Sequence, residues 1–350
     1  MISMYQKLSH TGHCFVVAEI GSNHDGHIWR AKKLIEAAYM AGADAVKFQF
    51  FLADKIAADT KDKVAIMEDG RTLREFYRAH ETPREWIPEL AEYCKKLDIT
   101  FFATPFDMEA VDLLEQVGVE LYKIASFEIV HLPLIKKVAS CGKPVILSTG
   151  MADVVEIGQA VSTMCDAGNA MYILLHCGVN YPAKFDEINL RAMTTLQRTF
   201  NAPVGYSDHT LGITVPIAAV ARGARVIEKH FTLNRNTAGA DHKFALEPTE
   251  FHEMVKCIRQ CEDSLGSYEK KCTKSEEIHY RRGRRSLFAA TNIKKGQIMS
   301  ESDFAILRPG IGLNPEFIVD LVGKEAKSDL EKDEPATWRL ICGSKRGENE

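Results

Sequence analysis

The stretch "APVGYSDHTLGITVPIAAVARGARVIEKHF", residues 202–231, decides the fold. It opens and closes with short apolar runs rich in β-branched residues, and a helix-like stretch lies between them. Strand, helix, strand in that order is the unit of a parallel sheet. Side chains alternate along a strand, so Ser207 and His209 share one face, as do Glu228 and His230. In a parallel βα architecture, consecutive strand ends lie side by side. Two histidines 21 positions apart (230 − 209) can therefore share one ion.

Outward from this unit, runs of the same kind recur: "FVVAEIG" from Phe15, "AVKFQF" from Ala45, "ITFFATP" from Ile99, "LYKIASF" from Leu121, "VILSTGM" from Val145 and "MYILLHC" from Met171. Helix-like stretches separate them, among them 29–43, 109–118 and 154–168, each closed by or near a glycine. Strands alternating with helices in this number predict an α/β fold of the (β/α)8 TIM-barrel type. A doubly wound open sheet is the alternative, disfavoured because no glycine-rich phosphate loop follows the first strand.

Composition sets the outer limits. Hydrophobic residues make up 45% and charged residues 26% of 350 residues, the balance of a globular chain long enough for about two domains. A net charge of −4 gives no reason to expect a nucleic acid or an anionic membrane as partner. No apolar run approaches a membrane span, and Met1–His10 lacks a signal-peptide core, so a soluble cytoplasmic protein is expected. The nine cysteines form no CxxC pair and read as reduced thiols.

Barrel enzymes place their chemistry at the carboxyl ends of the strands. Here those ends carry Glu19, Lys47, Gln49, Thr104, Lys123, Ser126, Ser148, His176, Ser207, His209, Glu228 and His230. Lysines, hydroxyls and a divalent metal suit an anionic substrate, with Lys47 and Lys123 neutralising phosphate and carboxylate charge. Two neutral imidazoles leave most of a metal's coordination open, which fits a Lewis acid better than a structural zinc site. His176 reads as a hydrogen-bonded packing residue, and His24 and His242 fall in loops without an assignment.

Past Phe231 comes a glycine-bearing loop, then a helix expected to open on a Thr249 cap with Glu250 in its first turn. The expected organisation is a barrel over 1–265, a charged linker over 266–285 containing the basic cluster Arg281–Arg285, and a small β-rich domain over 286–350.

The motifs "AEIGSNHDG", "AGADAVKFQ", "FFATPFD", "YKIASFE", "KPVILSTGM", "HCGVNYPA", "GYSDHTLGI", "VIEKHFTL" and "RRSLFAATNIKKGQ…LRPGIG" cover nearly the whole chain. In kind and order they resemble the sialic acid (nonulosonate) synthases, which condense phosphoenolpyruvate with an N-acetylated hexose to make nine-carbon 2-keto-3-deoxy sugar acids. The resemblance implies a (β/α)8 barrel followed by an antifreeze-like (SAF) domain. It implies that Lys47, Thr104, Lys123, Ser126, Ser148 and Ser207 hold phosphoenolpyruvate, and that His209 and His230 ligate a divalent ion, Mn2+ or Mg2+. Glu19, Tyr181 and Asp241 match positions around the acceptor sugar, and Glu19 or Asp241 would move protons. Arg308 matches an arginine that the small domain delivers to the partner's active site, which implies a domain-swapped homodimer.

The acceptor implied is of the N-acetylmannosamine type. The alternative is a 2,4-diacetamido-2,4,6-trideoxyhexose, giving pseudaminate or N,N'-diacetyllegionaminate, because Phe127 and the "FALEP" segment resemble those synthases. Where neuraminate synthases often carry asparagine two positions before Tyr181, this chain has Val179, with Asn180 adjacent. The segment Lys61–Arg74 matches no family pattern. A synthase for a seven- or eight-carbon keto acid is disfavoured by the C-terminal module. A non-enzymatic sugar-binding or antifreeze-like protein would leave the strand-end lysines, serines and histidines idle.

Overall fold

The computed structural model describes residues 3–9, 12–67 and 69–342, so the last eight residues expected in the C-terminal domain lie outside it. The chain divides into two compact units, Met1–Gly266 and Ser267–Glu350.

The first unit is built on eight strands: β1 (Phe15–Glu19), β2 (Ala45–Phe50), β3 (Thr100–Pro105), β4 (Tyr122–Ile124), β5 (Val145–Ser148), β6 (Tyr172–Cys177), β7 (Val204–Asp208) and β8 (Val226–His230). All ladders are parallel, in the order β3-β2-β1-β8-β7-β6-β5-β4. β3 and the short β4 run side by side and bring the sheet round into the expected barrel. The helices of this unit are α1 (Met4–Ser9), α2 (Ile28–Met40), α3 (Ala53–Ile56), α4 (Leu73–Arg78), α5 (Ile87–Leu97), α6 (Met108–Gln116), α7 (Leu132–Ser140), α8 (Val154–Asp166), α9 (Ala192–Phe200), α10 (Thr214–Ala221) and α11 (Pro248–Leu265).

Strand alternation sorts the side chains into two shells. Outward positions such as Val16, Val46, Tyr206 and Ile227 join the apolar faces of the helices, including Leu34 and Ile35 of α2 and Phe251 and Met254 of α11. Inward positions form a second cluster of Phe15, Val17, Ala45, Phe102, Leu121, Ile146, Ile173, Leu175 and Val226, into which α1 inserts Leu8. That cluster fills the amino-terminal half of the barrel. It leaves no room on β7, where a Cβ on Gly205 would stand 2.3 Å from the Val226 carbonyl oxygen and 2.6 Å from Leu175 Cδ2. Above this apolar floor the inward side chains turn polar, apart from Cys177 on β6.

The helices are stopped and started by local chemistry. Asp107 caps α6 through the Ala110 N–H, and Asp153 forms a capping box with Glu156 on α8. The last helix is clasped to the first strand: Arg259 donates to the Cys14 carbonyl at 2.7 Å and to Asp44 at 3.0 Å, and Glu262 accepts the Cys14 N–H. One expectation needs correction. α11 starts at Pro248 with Glu247 at its cap, not Thr249, because proline at the first turn and the reciprocal Glu247–Glu250 box fix the start two residues earlier. Within the stretch expected as a linker, Glu277–Gly283 is a helix (α12), which follows a 3-10 turn over Lys274–Glu276 capped by a Thr273–Glu276 box.

The second unit carries an antiparallel pair, β9 (Ser286–Ala289) and β10 (Phe304–Leu307). Its own core gathers Leu287, Ile293, Met299, Phe304, Leu321, Ala326, Ala336 and Leu340. Among the described residues no helix is long and apolar enough to cross a membrane.

Candidate functional site

Above the apolar floor, the carboxyl ends of the strands bring buried charges together. Lys47 of β2 sits 2.7 Å from Glu19 Oε2 of β1 and 3.8 Å from Glu228 Oε1 of β8. Its Nζ donates to Thr104 Oγ1 at 3.2 Å. Lys123 of β4 donates to Ser148 Oγ at 2.6 Å and to Glu228 Oε1 at 3.4 Å, and Ser207 Oγ donates to the same Glu228 oxygen at 3.0 Å. Ser126 Oγ accepts the Gly150 N–H at 3.0 Å. Two lysines and two carboxylates thus face one another inside the barrel, all of them buried.

Burial sets the protonation of this cluster. It raises the Glu19 carboxyl to about 7, against the opposing pull of Lys47, so Glu19 changes charge near neutral pH. Burial pulls Lys47 down, but Glu19 and Glu228 outweigh it and hold Lys47 above the ordinary lysine range. For Lys123 burial wins and the amine is easier to deprotonate. Asp241, beside the same pocket, is also raised by burial, although Ser22 Oγ donates to it at 3.3 Å.

His209 and His230 leave adjacent strand ends with ring centroids 5.3 Å apart. Nδ1 of His209 donates to the Gly178 carbonyl at 2.6 Å, which fixes the tautomer and leaves Nε2 with its lone pair. Nδ1 of His230 is buried with no hydrogen-bond partner, 3.8 Å from Asp241 Oδ2. Burial pushes His209 down to about 4 and His230 well below its ordinary value, so both rings are neutral. Neutral rings with uncommitted nitrogens fit a divalent ion, and no set of three or more ligating side chains competes for one among the described residues. Tyr181 packs on His209 at 4.3 Å, and Phe244, from the "FALEP" segment, packs on His230 at 5.0 Å.

One pocket therefore holds all the site residues expected on the barrel: Glu19, Lys47, Thr104, Lys123, Ser126, Ser148, Tyr181, Ser207, His209, His230 and Asp241. Arg308 lies in the second unit, exposed, just past β10. Four loop and strand-end questions are answered by hydrogen bonds. His176 Nε2 donates to the Ile188 carbonyl at 2.6 Å. His24 Nδ1 accepts from the Gly26 N–H at 3.1 Å while its Nε2 donates to Thr82 Oγ1 at 2.8 Å. His242 bridges Thr232 Oγ1 at 2.6 Å and Asp25 Oδ1 at 3.0 Å. Asn180 is turned to Glu187 at 3.0 Å.

Sequence reasoning missed two features of this pocket. Glu228 was visible at a strand end but had no assigned role, although it shares a face with His230. An aromatic wall of Phe51, Phe76, Tyr77 and Phe106 was not foreseen. Phe51 meets Tyr77 at 5.3 Å and Phe106 at 5.5 Å, edge to face. A wider cleft lies at the opposite end of the barrel, lined by Lys7, Asp44, Lys95 and Asp98, but it contains none of the strand-end chemistry.

Residues 34–270 match the model of the NeuB family, and residues 284–341 match that of the SAF domain. The chain is 44% identical to the N,N'-diacetyllegionaminic acid synthase of Campylobacter jejuni, over 91% of this chain and 97% of that one. It is 33% identical to the N-acetylneuraminate-9-phosphate synthase of Drosophila melanogaster, over 93% and 95%. Among solved structures, the N-acetylneuraminic acid synthetase of Leptospira borgpetersenii superposes with a TM-score of 0.70 at 36% identity, covering 77% of this chain and 92% of that one.

Proposed function

The chain belongs to the NeuB family, and from that premise we propose that it condenses phosphoenolpyruvate with the open-chain form of an N-acetylated hexose, yielding a nine-carbon keto sugar acid and inorganic phosphate. The observation that carries this reading is the pair of buried lysines, Lys47 and Lys123, ringed by Thr104, Ser126, Ser148 and Ser207 beside two neutral imidazoles. Cations and hydroxyl donors in that density match the phosphate and carboxylate of phosphoenolpyruvate.

His209 and His230 would hold a divalent ion, Mn2+ or Mg2+, which when bound supplies Lewis-acid polarisation of the sugar aldehyde. The chain's own residues do the rest. Lys47 and Lys123 anchor the anion and stabilise charge as it moves, and the barrel wall fixes both substrates so that a bimolecular step proceeds as an intramolecular one. C3 of phosphoenolpyruvate attacks the aldehyde carbon, water adds to C2, and the bond between C2 and the bridging oxygen breaks to release phosphate. Glu19, held by burial at about 7, is able to take up or give a proton at working pH. Asp241 and Tyr181 flank the acceptor end of the pocket.

One observation favours a second acceptor class. The wall of Phe51, Phe76, Tyr77 and Phe106 suits the methyl of a 2,4-diacetamido-2,4,6-trideoxyhexose better than the hydroxymethyl of N-acetylmannosamine. We place the enzyme in the cytoplasm, in keeping with its nine free thiols. We propose a domain-swapped homodimer in which Arg308, flanked by exposed Leu307 and Ile311, serves the partner's pocket. The reaction is tested by phosphate release from phosphoenolpyruvate with each acceptor in turn. With 18O in the bridging oxygen the label leaves in phosphate, and label retained in the sugar acid would falsify the C–O cleavage.

A further inference from the structure

Behind the two histidines stands a second charged pair that faces away from the pocket. Asp208 and Lys229 are register partners on β7 and β8, and each immediately precedes one of the histidines. Alternation sends His230 into the barrel and Lys229 out, into the layer between sheet and helices. The other outward positions there are Val204 on β7, Ile227 on β8 and Phe231 just beyond it, all apolar, and Tyr206, whose hydroxyl lies beside Asp208. In that layer Lys229 Nζ lies 2.5 Å from Asp208 Oδ2, and both side chains are fully buried. Lys229 also donates to the Thr210 carbonyl. Thr210 closes the triangle, its N–H donating to Asp208 Oδ1 at 3.0 Å and its hydroxyl to the same oxygen at 2.9 Å.

Holding a fold together does not call for such a pair. Stripping water from two charges is expensive, and packed apolar side chains of similar volume generally do as well or better for stability. An ion pair offers what apolar packing lacks, which is direction. The triangle spans the chain on both sides of His209 and ties it across the ladder to the residue before His230. It thereby fixes the height of one strand end against the other, and with it the separation of the two rings. The hydrogen bonds among Asp208, Thr210 and Lys229 do for the chain on either side of the histidines what outer-shell partners do for the side chains of metal ligands.

We propose that Asp208, Thr210 and Lys229 are positioning residues that set the spacing of His209 and His230 for a divalent cation. The proposal rests on the reading of those histidines as metal ligands. Its test is the Asp208→Leu/Lys229→Met double variant of the full chain, which removes both charges and leaves neither unpaired. Three quantities are measured: melting temperature, Mn2+ affinity by electron paramagnetic resonance of the free ion, and inorganic phosphate affinity by calorimetry. Melting temperature and phosphate affinity should stay at the wild-type level while Mn2+ binding weakens about 10- to 100-fold. Unchanged Mn2+ affinity in the folded variant, or equal loss of Mn2+ and phosphate binding, overturns the proposal. If the double variant does not fold, Thr210→Val decides the matter: it keeps the ion pair and the backbone bonds but removes the two hydroxyl bonds to Asp208, and it should weaken Mn2+ several-fold, with no change again overturning the proposal. Wild-type protein that binds no Mn2+ overturns the metal reading and the proposal together.

Discussion

His24 offers a quantitative test of how this fold holds its loops. The residue follows β1 and is buried, with both ring nitrogens occupied by Gly26 and Thr82 and its ring edge-on to Trp86 at 5.3 Å. Burial, helped by the nearby His27 and His80, pushes its pKa from an ordinary 6.5 down to about 4. The folded protein therefore refuses a proton that the unfolded chain accepts below pH 6.5. Stability is whole above 6.5 and drains as the pH falls towards about 4. A depression of that size corresponds to about 3 kcal/mol between the protonated and neutral limits, of which about 2 kcal/mol is already expressed at pH 5. His24→Gln cannot titrate. Urea unfolding followed by far-ultraviolet circular dichroism should find the variant weaker at pH 7 by about 1 kcal/mol, for the altered hydrogen bonds. Between pH 7 and pH 5, however, it should lose about 2 kcal/mol less than the wild type. Equal losses in the two proteins would refute the reasoning, since His24 would then titrate alike in both states.

The remaining predictions concern packing, acceptor, assembly and metal. Gly205→Ala should destabilise by about 1–3 kcal/mol or more, read as a lowered melting temperature, because the Val226 carbonyl 2.3 Å from the new Cβ belongs to the ladder and cannot swing aside. Replacing Phe76 with serine should shift the ratio of kcat/KM towards the acceptor carrying a 6-hydroxyl by about 10-fold, measured with both acceptors on one preparation. Mixing inactive Arg308→Ala protein with an inactive Lys123→Met protein should restore part of the activity after subunit exchange, and no recovery despite demonstrated exchange would argue for action within one chain. Exhaustive chelation should abolish turnover and leave the circular dichroism spectrum unchanged, with activity returning on addition of Mn2+.

How much of this was legible beforehand follows from period and neighbourhood. The eight apolar runs carry the barrel on their face, because a strand buried on both sides reads as continuous hydrophobicity. The inward positions Lys47, Lys123, Ser207, His209 and His230 follow from alternation and the habit of barrels to react at their strand ends. Glu228 escaped assignment for a physical reason: in "VIEKH" it stands next to Lys229, and a lone sequence does not tell a solvated pair from two charges sent to opposite faces. The aromatic wall was hidden more deeply. Phe76 and Tyr77 sit on the short helix α4, outside the barrel's repeat, and reach the pocket only through tertiary packing. α11 starts two residues before the expected position because Glu247, a residue type outside the usual capping set, serves as its cap, although Pro248 marks the first turn.

The layering of the barrel interior bears on how the protein responds to salt. Lys47 and Lys123 rest on an apolar floor of Val17, Ala45, Phe102 and Leu121, where solvent does not surround them. Counterions screen charges that solvent can surround and hardly touch those it cannot. An anion on its way to the mouth should feel the ionic strength of the medium. Once seated on the two lysines it should not, so added salt would slow its arrival far more than it hastens its departure.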